Sequence, residues 1–311
     1  MSDADPDTAR PPASATASAT ATATASALCG VLAAALGILP WLVEGARLPL
    51  QNVWATEALP EDMPLALLPF SQYSLTTIAA MLVVGGAVAG AAERWLLARR
   101  GLGRRTLVTV GLAATQLVCV AQTTVVTQAG IEDSSRASVY LAGLALAAVV
   151  SVGVSVLVQR GIAGGGPAAG AMAATAGGIA LGMWVAALAS ALAGVASSPP
   201  AWVFAVATWT PSVVAGIAVG VCGVSTVRRA LGAVASLLGL WVLPAFATAL
   251  SYAVGSRVYL QNPAELVPAA AQVFRLALGT DGGAPQRLLV AVAVAVVTWA
   301  VCRTLSRRAG H

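Results

Sequence analysis

Two short polar segments carry the residue types best suited to holding a ligand. They read Gly-Ala-Arg-Leu-Pro-Leu-Gln-Asn over residues 45–52 and Gly-Ser-Arg-Val-Tyr-Leu-Gln-Asn over residues 255–262. The chain has two asparagines, and each one follows a glutamine at the end of this pattern. Arginine and amide side chains donate several hydrogen bonds at once, as a carboxylate, a phosphate or a sugar requires. The predicted ligand-binding residues are Arg47, Gln51, Asn52, Arg257, Gln261 and Asn262.

The same side chains also have a structural interpretation. Asparagine and glutamine can cap the short helix that follows, while arginine pairs with a carboxylate such as Glu44 or Glu57. Loops beside a membrane must satisfy their backbone groups, and a duplicated fold duplicates its caps. The sequence leaves both interpretations open.

A polar stripe within the third apolar segment supplies one more candidate. Thr109, Gln116 and Thr123 are spaced seven residues apart, which keeps them on one face of a helix. Such a stripe can line a substrate path through the membrane. It can equally form hydrogen bonds to neighbouring helices. Gln116 therefore joins the predicted ligand-binding residues, with helix packing as the alternative.

Residues suited to catalysis or metal binding are scarce. The only histidine is the C-terminal His311, and the four cysteines have no metal-ligand spacing. We therefore expect a non-enzymatic protein without a cofactor or a metal site. An enzyme would have to use the carboxylates predicted to lie on the outer side, which are Glu57, Glu61, Asp62 and Glu265.

The composition of the chain indicates that lipid surrounds most of it. Of 311 residues, 58% are hydrophobic and 9% are charged, whereas soluble domains carry about 25% charged residues. Apolar stretches of about 20 residues recur, each long enough to cross the bilayer as a helix. These stretches are apolar on every face, unlike the alternating strands of a membrane barrel. We predict an all-α polytopic transmembrane helix bundle.

Eight spans and two terminal tails divide the chain. The predicted spans are 27–44, 75–97, 106–128, 138–159, 169–195, 202–224, 230–254 and 287–305. The predicted regions are a disordered cytoplasmic tail (1–26), a first four-helix half (27–160), a glycine-rich linker (161–168), a second four-helix half (169–305) and a second cytoplasmic tail (306–311).

The arginines predict the orientation of these spans. On one side of the membrane the connections and the C-terminal end carry eleven arginines and a single acid, Glu93. The opposite connections carry five arginines and eight acids. Because arginine is enriched in cytoplasmic loops, both termini are predicted to lie in the cytoplasm and the chain in the cell membrane. This distribution explains the net charge of +5 without nucleic-acid binding, and the expected partner is the lipid bilayer.

The repeated polar segments also predict an internal repeat of helix hairpins. Each segment leads into a stretch too short to span, and residues 264–278 suit a short helix that lies in the interface or dips back into the bundle. Residues 59–70 would be its counterpart, although three prolines make that stretch less regular. The first and last hairpins would then be equivalent units.

Together these patterns favour one function and leave an alternative. The leading hypothesis is a transporter or permease-like protein that handles a small anionic or amphipathic molecule at its outer face. The alternative is an accessory or scaffold subunit of a bacterial cell-envelope membrane complex. That role would use glycine-rich helix faces to bind a membrane-protein partner. The motifs are Gly86-x-x-x-Gly90, Gly178-x-x-x-Gly182 and Gly216-x-x-x-Gly220.

Overall fold

The protein is an α-helical membrane bundle. The computed structural model describes residues 13–97, 105–194, 198–255, 263–280 and 282–308. Within these ranges there is no β-strand, and eight helices are long and apolar enough to cross a membrane. The predicted fold class, an all-α polytopic bundle, is therefore confirmed.

Ten α-helices make up the described part of the chain, and all except α2 and α9 are candidate spans. They are α1 (Ala13–Gly37), α2 (Leu39–Glu44), α3 (Leu75–Ala92), α4 (Arg105–Gly130), α5 (Ser135–Gly164), α6 (Pro167–Ala193), α7 (Ala201–Cys222), α8 (Val227–Gly255), α9 (Pro263–Leu278) and α10 (Ala284–Arg308). A π-helical turn, Glu93–Leu97, follows α3, and 3-10 turns occur at Pro60–Asp62 and Gln72–Ser74.

The two ends of the bundle differ in their connections. We call one the arginine-rich end, where α3 meets α4, α5 meets α6, α7 meets α8, and α10 finishes. We call the other the loop end. It carries the connection between α2 and α3, residues 45–74, and the connection that includes α9.

The first span differs from its prediction at both ends. Helix α1 starts at Ala13, inside the predicted disordered tail, because its alanine-rich sequence has high helix propensity and extends a helix already formed by the span. It ends at Gly37, and α2 continues after a break at Ile38. Pro40 cannot donate a backbone hydrogen bond, so the chain changes direction here.

The predicted linker between the halves is shorter than expected. Helix α5 continues to Gly164 and α6 begins at Pro167, leaving two residues where a linker of eight had been predicted. The Gly165 amide donates to the Gly161 carbonyl, and proline is favourable in the first turn of a helix. Helices α5 and α6 are therefore joined by a tight turn.

The three glycine motifs pack helices of the same chain against one another. A methyl group at Gly90 would lie 2.7 Å from the Gln159 carbonyl oxygen of α5, and one at Gly182 would lie 2.6 Å from the Ala207 carbonyl oxygen of α7. One at Gly216 would lie 2.6 Å from the Ala291 carbonyl oxygen of α10. These faces are thus occupied within the bundle, and a membrane-protein partner would have to use another surface.

The short helix predicted near residues 264–278 is present as α9, and it lies along the surface of α8 with none of its described side chains fully buried. It packs along α8, where the Trp241 indole donates to the Leu278 carbonyl at 3.0 Å. Trp241 is at the middle of α8, so α9 descends from the loop end to about half the depth of the bundle. The counterpart at residues 59–70 forms only the 3-10 turn Pro60–Asp62, because its prolines prevent a longer helix.

Candidate functional site

The first polar segment is built into the connection between α2 and α3. Gly45 ends α2 with φ +110°, a conformation that favours glycine. The exposed Arg47 side chain donates from Nη1 to the Met63 carbonyl at 3.1 Å, and Asn52 is exposed. Gln51 is buried: its Nε2 donates to the Phe70 carbonyl at 2.7 Å, and its Oε1 accepts from the Tyr140 hydroxyl at 2.9 Å. The Gln51 amide therefore holds this loop against α5.

Side chains of α4 also bind this loop, on its side nearer the centre of the bundle. The Gln122 Oε1 accepts from the Leu67 amide at 2.9 Å, and the Thr123 hydroxyl accepts from the Leu68 amide at 3.0 Å. Gln122 is eight residues before the end of α4, or about 12 Å along the helix. The loop thus reaches membrane depth, where irregular backbone persists only if protein groups satisfy it.

The surroundings of Gln51 do not suit an anion. Gln51 lines a cleft of about 660 Å³ together with Trp54, Glu57 and Asp62. Two carboxylates repel a negatively charged ligand. Ligand binding by the first polar segment stays a prediction, and Arg257, Gln261 and Asn262 of the second segment lie outside the described residues.

Gln116 makes a packing contact inside the bundle. Its side chain is 1% exposed, and Nε2 donates to the Leu82 carbonyl of α3 at 2.8 Å. The Ser155 hydroxyl of α5 donates to the same carbonyl at 2.7 Å. Leu82 therefore joins α3 to α4 and α5, as the packing interpretation of the polar stripe had proposed.

The second half of the chain places an arginine level with the middle of α7, one of the candidate spans. Gly216 and Gly220 of α7 approach Ala291 and Ala295 of α10, so the two helices run side by side in the same direction. Arg287, one turn before Ala291, is then level with residues 211–212 of α7, about 16 Å from either end of that helix. The predicted eighth span had put Arg287 at the outer boundary of the membrane. Its depth is different because the glycine contacts of α7 set the position of α10.

Arg287 faces a cavity of about 560 Å³, within the usual size range of ligand sites. Apolar groups of α6 and α7 form much of its wall, including Ile179, Met183 and Phe204. Hydroxyl groups also line it, and they belong to Thr76, Thr208, Thr248 and Ser251. The Thr208 and Thr248 hydroxyls donate to carbonyls of their own helices, which leaves their oxygens as acceptors.

The guanidinium of Arg287 is held in place by the turn that precedes α10. Its Nε donates to the Gly283 carbonyl at 3.3 Å, and its Nη2 donates to the Gly282 carbonyl. Among the described residues, no carboxylate forms an ion pair with it. The first turn of α10 adds the partial positive charge of a helix N-terminus at the same depth. The charge that the described residues bring to this cavity is therefore positive, which suits an anion.

Two prolines lie beside the guanidinium. Pro211 is inside α7 and Pro244 is inside α8, and both line the cavity. Each removes one backbone hydrogen bond from its helix, which makes these positions points of easier bending. Bending of either helix there would change the width of the cavity.

A separate polar cluster lies at the arginine-rich end. Glu93, 3% exposed, accepts from the Gln159 Nε2 at 2.6 Å and pairs with the Arg105 Nε at 3.2 Å. The Thr109 hydroxyl donates to the Gln159 Oε1 at 2.9 Å. The cluster joins α3, α4 and α5, and its sequence signal is Glu93, the single acid among the arginines of this end.

The Arg287 cavity was not among the predicted sites, although the sequence contains two signals for it. The segment before Arg287 is too short to span, and it ends in the turn-forming Gly282 and Gly283. Such a segment leaves the next helix to begin inside the membrane. The prediction had instead treated Arg287 as an interfacial residue.

Comparison of the chain with known protein families, with curated proteins and with solved structures finds no match. The class that the fold defines is a polytopic α-helical membrane protein. The candidate site is a cavity between the apolar helices, and Arg287 is the arginine among its described lining residues.

Proposed function

We propose that this protein is a permease-like transporter that binds a small anionic or amphipathic molecule at Arg287. The observation that supports this proposal is the position of a guanidinium at mid-membrane depth without a described ion-pair partner. Charged residues at this depth are costly, so they are retained at substrate paths and binding sites. The proposed activity is non-enzymatic, since moving a ligand requires binding and conformational change alone.

The discontinuous helices α9 and α10 support the same proposal. Transporters commonly bind substrate near the bilayer midplane, where a half-length helix directs its N-terminus at an anionic group. Here α9 ends near the middle of α8, and α10 begins about 12 Å below the start of α7. Pro211 and Pro244 supply bending points on two sides of the cavity.

Electrical recording from reconstituted protein tests this function. Proteoliposomes of neutral phosphatidylcholine on a solid support would receive concentration jumps of acetate, phosphate and octyl phosphate. We expect a saturable current with at least one of these anions. Arg287→Gln should lower it by about tenfold or more, because a charged hydrogen bond inside a low-dielectric cavity is lost.

Arg136→Gln is the matched control for this experiment. Arg136 is exposed in the first turn of α5, at the loop end and away from the cavity, and its replacement changes the net charge of the protein by the same amount. The current should be unchanged in this variant. If all three anions give the same currents in wild-type protein and in Arg287→Gln, the transport proposal is wrong.

We further propose that the protein lies in the cell membrane, with its loop end facing outward and both termini in the cytoplasm. The excess of arginine over acid at the opposite end supports this orientation. A reporter enzyme that works only in the cytoplasm should be active when it is fused after His311. If instead a reporter that works only outside the cell is active there, the proposed orientation is wrong.

The alternative is an accessory or scaffold subunit of a cell-envelope complex. The long α10 supports it, because this helix continues past the end of α7 and leaves Trp299 and Leu305 exposed. Cross-linking in native membranes would favour this role if a stoichiometric partner attached to α10. The transporter is preferred because a scaffold gives no reason for an arginine inside the bundle.

A further inference from the structure

A lateral groove adjoins the Arg287 cavity. Helices α5 and α8 form its sides, and α3 and α6 form its floor. Its volume is about 540 Å³, and its lining is almost entirely apolar. On α5 the groove extends from Gly143 to Val154, about 16 Å along the helix axis.

The groove and the cavity share part of their walls. Thr76 of α3, Ile179 and Met183 of α6, and Ala247 of α8 line both. The Thr76 and Ser251 hydroxyls lie 3.2 Å apart, so a polar contact marks the boundary between the two spaces. An electropositive space thus lies directly beside an apolar one.

From this arrangement, and resting on the proposed binding role of the cavity, we infer the class of its ligand. It is an anionic amphiphile: its negatively charged group binds Arg287, and its hydrocarbon chain lies in the groove between α5 and α8. The molecule enters sideways from the bilayer.

The charge of the cavity and the apolar lining of the groove both indicate an anionic amphiphile. The cavity provides one guanidinium, which balances one negative charge in a medium where a second charge would be costly. The groove offers a hydrocarbon chain apolar contacts on α3, α5, α6 and α8. A fully polar anion would leave the groove unused, and an uncharged lipid would not pair with the half-buried guanidinium, which has no ion-pair partner among the described residues.

Photo-cross-linking tests the inference in neutral phosphatidylcholine nanodiscs. The probe is a long-chain fatty acid with a diazirine at its chain end, and the comparison probes are the corresponding alcohol and a diazirine-bearing short carboxylic acid. We expect the fatty acid to label α5 and α8 within the groove, and to do so about tenfold more than either comparison probe.

Two matched pairs of variants separate the head site from the chain site. Arg287→Gln should lower fatty-acid labelling by about tenfold, while Arg136→Gln at the loop end should not. Gly143 lines the groove and Gly153 does not, yet both are on α5 with open space around an added side chain. Gly143→Phe should therefore remove the labelling, and Gly153→Phe should retain it.

A separate arm of the experiment distinguishes the two possible sources of the anionic amphiphile. If a bilayer lipid occupies the site, nanodiscs that contain phosphatidylglycerol should reduce labelling. If the ligand is a free acid, unlabelled fatty acid should reduce labelling and phosphatidylglycerol should not. Equal labelling by the fatty acid and the alcohol in wild-type protein would overturn the inference, whether or not the variants fold. Labelling without anion currents would refute transport but support the ligand class. Acetate currents without labelling of the groove would support transport but refute the ligand class.

Discussion

Gly86→Leu is expected to prevent stable folding of the bundle. A side chain at this position would overlap with the Ser155 carbonyl and hydroxyl of α5. Neither helix can shift easily, because Gly90 approaches the Gln159 backbone one turn further along the same contact. We expect a loss of at least about 3 kcal/mol in the free energy of unfolding, as for severe overpacking of a core.

The yield of monodisperse protein and the midpoint of thermal unfolding in detergent measure this effect. Gly153→Leu is the control, since Gly153 is also helical and an added side chain there meets open space. Leucine has the higher helix propensity, so this variant should be as stable as the wild type or slightly more so. Comparable stability of the two variants would show that α3 and α5 are not in close contact at Gly86.

Arg105→Gln is expected to lower the free energy of unfolding by about 1–3 kcal/mol, because it leaves the Glu93 carboxylate buried without its cation. The value is below that of a fully buried pair because the Arg105 side chain is 60% exposed and water screens its charge. Denaturation in mixed micelles measures the difference.

A double-mutant cycle identifies the cause. In a Glu93→Gln background no charge remains to be compensated, and the amide oxygen can still accept from Gln159. Arg105→Gln should then cost less than about 0.5 kcal/mol, as should the control Arg160→Gln at an exposed site of the same end. An equal cost of Arg105→Gln in both backgrounds would remove the ion pair as the explanation.

The spans could be predicted from sequence because they depend on local composition. An apolar run of sufficient length forms such a helix whatever its neighbours are, so the bounds of seven candidate spans were predicted to within a few residues, although the depth of the last one was not. The first was displaced because its boundaries depend on Pro40 and on helix extension through an alanine-rich tail. The descent of α9 along α8, instead of a position in the interface, was one of two placements left open.

The site could not be predicted because it depends on contacts between distant helices. The depth of Arg287 is set by two glycines of α7, about 70 residues earlier in the chain. The same limit applies to Gln51: its spacing indicated a polar role, but its partner Tyr140 is 89 residues away. Side-chain type shows which bonds are possible, and tertiary packing decides which of them form.

The hydrogen bonds from α4 to the loop before α3 determine an order of biosynthesis. Leu67 leaves the ribosome 55 residues ahead of Gln122, a delay of about 3–11 s at about 5–20 residues per second. Until Gln122 arrives, the Leu67 and Leu68 amides have no α4 acceptors, and the hydrocarbon region offers no water to replace them. We therefore expect this loop to remain at the aqueous surface during translation and to enter the bilayer once the third span is inserted.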